Sequence, residues 1–226
     1  RLFWTHGGAG TYVAYPLQAL LAVLAVESHR HQCLVIGEDL GNVAPQMREA
    51  MAQRTVLSYR PLIFERMDGG AFRPPAQWPA QALAVVSTHD LPTLSGYWSG
   101  EDIEVQKRLG WLPDSEAHAR SLIERAQDRV RLLMALQEEG LLPPGATVDA
   151  QSVPEATAEF TAAVHAYLAR TPCWLAAVQI EDAIAQLEQV NVPGSTEDMQ
   201  PNWRRRLAVP LDRLARMFDF DPPRDT

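Results

Sequence analysis

The chain has only two cysteines in 226 residues, Cys33 and Cys173, so a disulfide framework is excluded and a reducing, cytoplasmic compartment fits. Each opens an apolar run, which predicts two buried thiols. No run of about 18 apolar residues occurs, so no membrane-spanning helix is expected. Basic residues are the minority: 20 Lys and Arg against 28 Asp and Glu give a net charge of -8. That balance argues against a general binder of nucleic-acid phosphates. No Gly-x-Gly-x-x-Gly follows a predicted strand, so a dinucleotide-type phosphate loop is missing, and neither repeats nor low-complexity tracts occur. An initiator methionine and a signal-peptide pattern are absent too. The apolar start Arg1-Leu2-Phe3-Trp4 therefore predicts a fragment of a longer protein.

What is present is apolar content for a real core, 46% of the residues. Cys33 to Gly37, Ala82 to Ser87 and Cys173 to Ile180 are continuous apolar runs, the pattern of strands buried on both faces in parallel sheets. Leu57 to Phe64 is a weaker candidate because Pro61 interrupts it. Helical spacing lies between the runs: Leu17, Leu20, Leu21 and Leu24, with Pro16 in the first turn. Leu122, Ala126, Val130 and Leu133 form a stripe within Ser115 to Glu139, with Gly140 as the stop. A third pattern opens at Pro154 and runs through Ala156, Phe160, Val164 and Leu168. A short last helix is expected from Arg213 to Phe218. Strands alternating with helices predict an α/β architecture, and residues 1–226 read as one partial catalytic domain.

The three apolar runs end in Glu38-Asp39, Thr88-His89-Asp90 and Glu181-Asp182. The C-terminal strand edge is where barrels and doubly wound sheets assemble their sites, and with no phosphate loop the barrel is favoured: about half of one. Glu38 and Asp90 could face one cleft as a general acid and a stabiliser of an oxocarbenium-like centre. The plainer reading has such carboxylates capping the next helix. Tyr12, Tyr15, Tyr59, Trp98, Trp174 and Trp203 lie in or beside predicted loops and strand ends, where their rings could stack on the C–H faces of sugars or simply pack in the core. His29-x-His31 has a metal-ligand spacing, but at the end of a predicted helix a solvated, dipole-complementing role is the better account. Arg204-Arg205-Arg206 reads as a salt-bridging or solvated segment.

Gly37-Glu38-Asp39-Leu40-Gly41, Ser87-Thr88-His89-Asp90-Leu91-Pro92-Thr93 and Pro201-Asn202-Trp203-Arg204-Arg205-Arg206-Leu207 stand in an order that resembles the amylomaltases, 4-alpha-glucanotransferases of glycoside hydrolase family 77. Tyr12 to Pro16, Glu27 to Arg30 and Asn191-Val192-Pro193-Gly194 are similar to that family as well. The resemblance implies the C-terminal portion of a (β/α)8 barrel with family-specific helical insertions. It implies retaining transfer of alpha-1,4-glucan segments between maltooligosaccharides, without metal or organic cofactor. By motif, Glu38 matches the general acid/base and Asp90 the transition-state stabiliser. His89 matches a substrate contact. Asn191, Pro193 and Gly194 fall in a mobile loop near the acceptor, Phe64 and Asp68 line acceptor subsites, and Trp98 joins the substrate-binding set. The family's nucleophile, an aspartate in an Arg-x-Asp-His segment, is expected upstream of residue 1, so these 226 residues alone are expected to be inactive. A monomer is favoured, with no nucleic acid or membrane as partner. A hydrolase of the same superfamily and a non-catalytic glucan-binding fragment are the alternatives.

Overall fold

A computed structural model of the chain describes residues 2–4, 10–12 and 15–217. Two short strands, β1 (Leu2–Trp4) and β2 (Gly10–Tyr12), pair antiparallel. Helix α1 (Leu17–Arg30) leads to β3 (Ile36–Gly37), α2 (Pro45–Ala52) and β4 (Leu57–Pro61). Then come β5 (Ala82–Val85), α3 (Leu94–Ser99), α4 (Glu101–Arg108), α5 (Ser115–Glu138) and α6 (Ala158–Ala169). Strand β6 (Leu175–Ala176), α7 (Ile180–Ala183) and α8 (Leu211–Met217) complete the order. The larger sheet runs in chain order, β3-β4-β5-β6, with α2 between β3 and β4, only 3-10 turns between β4 and β5, and α3 to α6 between β5 and β6.

The chain divides into two compact units, Arg1–Tyr59 with Gln81–Leu83, and Arg60–Ala80 with Ala84–Thr226. In the first, β3 and β4 pair in parallel, Ile36 opposite Leu57 and Gly37 opposite Ser58. A parallel pair needs a crossover, and α2 supplies it. Of α1 only Leu21 is buried; Leu20, Val23 and Val26 are exposed.

In the second unit Trp98 of α3, Leu132, Leu133 and Leu136 of α5, and Phe160, Val164 and Leu168 of α6 form one core. The helix starts are side-chain capped: Asp114 accepts from the Ala117 N–H at 2.7 Å and Thr157 from the Phe160 N–H at 3.2 Å. Gly140 follows α5 at φ +66°, as its predicted stop requires.

Trp98 is fully buried, stacks on Phe160 at 4.1 Å and donates its indole N–H to the Val153 carbonyl at 2.9 Å. Its expected place among sugar contacts is therefore replaced by one in the core. Trp98→Ala is expected to lower unfolding free energy by about 3–5 kcal/mol; denaturant unfolding checks this, and a change near zero would contradict it.

Other expectations shift. Cys33 is exposed rather than buried, and Cys173 is half-buried with its thiol 3.2 Å from the Pro79 carbonyl. The runs around them give strands of only two residues, with Leu34, Ile36, Trp174 and Val178 exposed. Among the described residues those strands, β3 and β6, are the edges of the sheet and pair on one side only, whereas β4 and β5 carry the fully buried Leu57, Ala82 and Ala84. Pro61 ends β4 and a 3-10 turn follows over Leu62–Phe64. Pro16 flanks α1 instead of lying in its first turn, and the third pattern becomes helical at Ala158, after the Thr157 cap, not at Pro154. The α5 core face falls at Leu132, Leu133, Ala135 and Leu136, while Leu122 and Ala126 are exposed. The last helix is α8; Phe218 lies outside the described residues, as does the Tyr12 side chain.

Candidate active site

Glu38 and Asp90 belong to different units. Glu38 directly follows β3 and is exposed. It does not cap α2, whose N-cap is Ala44. Its backbone is fixed by its neighbour: the buried Asp39 carboxylate accepts from the Ser58 hydroxyl at 2.6 Å, the Tyr59 N–H at 2.9 Å and Arg48 Nε at 3.2 Å. Charge-assisted bonds to three separate groups hold the strand end more firmly than neutral ones would. Burial pushes the Tyr59 phenol pKa up, and the negative charge of Glu38 adds to the shift.

In the second unit Asp90 follows β5 in a tight turn. The Asp90 N–H donates to the Thr88 hydroxyl at 3.2 Å, and the Ser87 hydroxyl donates to the Pro92 carbonyl at 2.6 Å. Asp90 caps nothing; Thr93 is the α3 N-cap and accepts from the Gly96 N–H at 3.0 Å. Asn191 Nδ2 donates to Asp90 Oδ1 at 2.6 Å, and the Asn191 N–H reaches the His89 carbonyl at 3.1 Å. His89 Nε2 lies 3.4 Å from Asp90 Oδ1, and its ring is 5.1 Å from that of Trp203. Asp90 Oδ2 accepts no hydrogen bond among the described residues, and the Asp90 side chain is partly exposed.

This arrangement is stapled from below. The Thr93 hydroxyl donates to the Gln186 carbonyl at 2.7 Å, and Asp182 Oδ1 accepts from the Leu94 N–H at 2.7 Å. Gly96 is needed here, because a Cβ would lie 2.6 Å from the Leu187 carbonyl oxygen. The segment bearing Asp90 and the segment bearing Asn191 are thus joined at both ends. The Asn202 side chain accepts from the Val192 N–H at 3.0 Å and donates to the Ser195 hydroxyl at 2.8 Å, ordering the loop that carries Pro193 and Gly194.

Burial pushes the Asp182 carboxyl up to about 6, opposed by its bond from Leu94 and assisted by Glu181. Burial also lowers the His165 pKa, so the imidazole is neutral at pH 7 and its 3.9 Å approach to Asp182 is not an ion pair there. A carboxyl whose folded pKa exceeds its unfolded value near 3.8 destabilises the fold as pH rises from about 4 to 6 and keeps that penalty above. Asp182→Asn retains an acceptor for Leu94 and removes the charge. It is expected to raise unfolding free energy by about 2 kcal/mol at pH 7.5 and to change it little near pH 4. Thermal melts at both pH values check this; equal shifts at both would contradict it.

The other expected residues divide. Phe64 is exposed on its 3-10 turn, and Asp68 is exposed at the turn closed by the Met67 N–H to Ala71 carbonyl bond. The hydrogen bonds around Asp90 include neither. Pro193 lines a cleft of about 240 Å³ together with Asp90 and with Ile63, the neighbour of Phe64. Gly194 adopts φ +89° beside the Trp111 ring. Trp111, Asp39, Thr93 and Asp182 were not singled out from sequence for these roles. The signal for Trp111 is an aromatic directly after a helix-ending glycine, Gly110, in the link from α4 to α5.

His29 lies in the last turn of α1 and His31 at its C-cap, both exposed; His31 sits 3.4 Å from Glu27. No group of three metal-binding side chains occurs among the described residues. Arg204 pairs with Glu197 and Arg205 with Glu188.

The sequence profile of the 4-alpha-glucanotransferase family matches residues 2–212. The chain is 37% identical over 216 residues to the 4-alpha-glucanotransferase of Haemophilus influenzae, covering 93% of this chain and 30% of that protein. It is 37% identical over 219 residues to that of Mycobacterium tuberculosis, covering 93% and 29%. The chain thus spans under a third of the length of these curated relatives. Among solved structures, amylomaltase from Corynebacterium glutamicum superposes with a TM-score of 0.78 at 33% identity, over 88% of this chain and 28% of that one. Amylomaltase from Streptococcus agalactiae, solved in complex with acarbose, shares the fold with a TM-score of 0.51 at 16% identity, over 87% and 32%. Glu181 and Asp182, expected at a strand end, lie instead in the first turn of α7, because β6 stops at Ala176. With the profile running from residue 2 to residue 212, the chain belongs to the 4-alpha-glucanotransferase family, glycoside hydrolase family 77.

Proposed function

We propose that the complete protein carrying this chain is a 4-alpha-glucanotransferase, that this chain forms the C-terminal portion of its (β/α)8 barrel, and that it acts on maltooligosaccharides in the cytoplasm. The observation that carries the reading is Asp90, held through one oxygen by Asn191 beside a cleft, in a chain matched by the family profile from residue 2 to 212. In the first step Glu38 gives its proton to the glycosidic oxygen of the departing sugar, while a carboxylate nucleophile from outside this chain attacks the anomeric carbon. Asp90 Oδ2 accepts from sugar hydroxyls, and its charge stabilises the oxocarbenium-like centre. In the second step the Glu38 carboxylate takes the proton of the incoming 4-hydroxyl as that oxygen displaces the enzyme ester. His89 and Asn191 position Asp90 and the sugar, and the Pro193-Gly194 loop lies beside the acceptor. These roles use one partner of the retaining pair, so the 226 residues alone are inactive.

The test supplies maltotriose to the complete protein and separates products by chain length. Glucose with a ladder of longer oligosaccharides is the expected result. Glucose and maltose alone would make it a hydrolase, and an unchanged sugar would leave glucan binding only.

A further inference from the structure

The lining of the cleft beside Asp90 is chemically mixed. Trp111, Val192 and Pro193 contribute apolar surface; Asp90, Gln106 and Gln189 contribute polar groups. Trp111 is 40% exposed, and a Cβ on Gly194 would lie 3.8 Å from its ring. A large aromatic left open in a concave site, rather than scattered on a convex surface, marks a place where an apolar face is meant to land. Three further lining residues are firmly held: Arg125 grips Asp102 with two bonds of 2.7 and 2.8 Å and lies 3.9 Å over the Tyr97 ring, whose hydroxyl donates to Asp128 at 2.7 Å. A site held this way does not collapse when empty and loses little freedom on binding.

A pyranose ring has the matching halves, an apolar C–H face and a rim of hydroxyls. The volume, about 240 Å³, is below the range of about 300–1,000 Å³ typical of larger ligands and suits a single ring. We propose that Trp111 is the stacking platform for one glucosyl unit of the glucan, whose hydroxyl rim is read by Gln106, Gln189 and Asp90. The proposal rests on the transferase reading for its ligand and adds to it a specific subsite and residue.

The test uses the complete protein with Trp111→Ala and Trp111→Phe. Trp111→Ala is expected to raise KM for maltotriose about 10-fold, with kcat within about 3-fold of wild type. Trp111→Phe, which keeps a ring, is expected to stay within about 3-fold in both. The change in tryptophan fluorescence when maltose saturates the wild type is expected to be largely lost in Trp111→Phe. An unchanged KM in Trp111→Ala, or equal loss of kcat in both variants, would overturn the platform. If the wild type leaves maltotriose unchanged, the transferase reading falls instead, and the fluorescence comparison with maltose decides the platform: a signal lost in Trp111→Phe supports it, and a signal retained overturns it.

Discussion

Glu38→Gln in the complete protein is expected to reduce kcat on maltotriose by about 10²–10⁴-fold without changing its melting temperature. The amide keeps the size of the side chain but carries no transferable proton. The departing sugar then leaves as an unprotonated alkoxide, and the acceptor hydroxyl meets no base. The fold is unaffected because the strand end is held by Asp39, whose bonds to Ser58, Tyr59 and Arg48 do not involve the Glu38 side chain. A donor with an acidic leaving group, such as a nitrophenyl maltoside, needs less protonation. Its first step is expected to recover most of the lost rate, whereas the second step stays slow for want of a base. Near-normal turnover of maltotriose would remove Glu38 from the mechanism.

Asp90→Asn is expected to lower kcat and kcat/KM together by about 10²–10³-fold. The substitution leaves an oxygen for Asn191 Nδ2, so the 2.6 Å contact and the loop it anchors survive. What disappears is the negative charge proposed to face the oxocarbenium-like centre. A loss confined to KM would instead mean that Asp90 binds ground-state substrate without favouring the transition state.

The strand-end placement of both carboxylates is legible in the sequence. The buried run Ala82 to Ser87 placed Asp90 at a strand end, and the Gly37-Glu38-Asp39 motif placed Glu38 at another. The helix-capping alternative for both failed for a local reason: each helix start lies further along the chain, at Ala44 and Thr93. Which aromatics meet solvent was not legible. Trp98 sits in a six-residue helix, too short for periodicity to show its inward face. Trp111, also near a helix end, lines the cleft directly after Gly110, where the chain turns at φ +70°. The staples from Thr93 and Asp182 join residues about 90 positions apart, and no short-range pattern encodes such pairs. The two edge strands read as buried because an apolar run has the same composition whether one side of the strand or both are covered.

The most direct measurement of the central claim supplies the complete protein with unlabelled maltotriose and ¹³C-labelled glucose and follows the label by mass. Transfer to a sugar acceptor through Glu38 is expected to move the label into maltose and longer chains, at their reducing ends, and Glu38→Gln is expected to slow that transfer by about 10²–10⁴-fold. Maltotriose consumed to glucose and maltose, with no longer chains formed and the label left in free glucose, would contradict the account, because water would then be the acceptor.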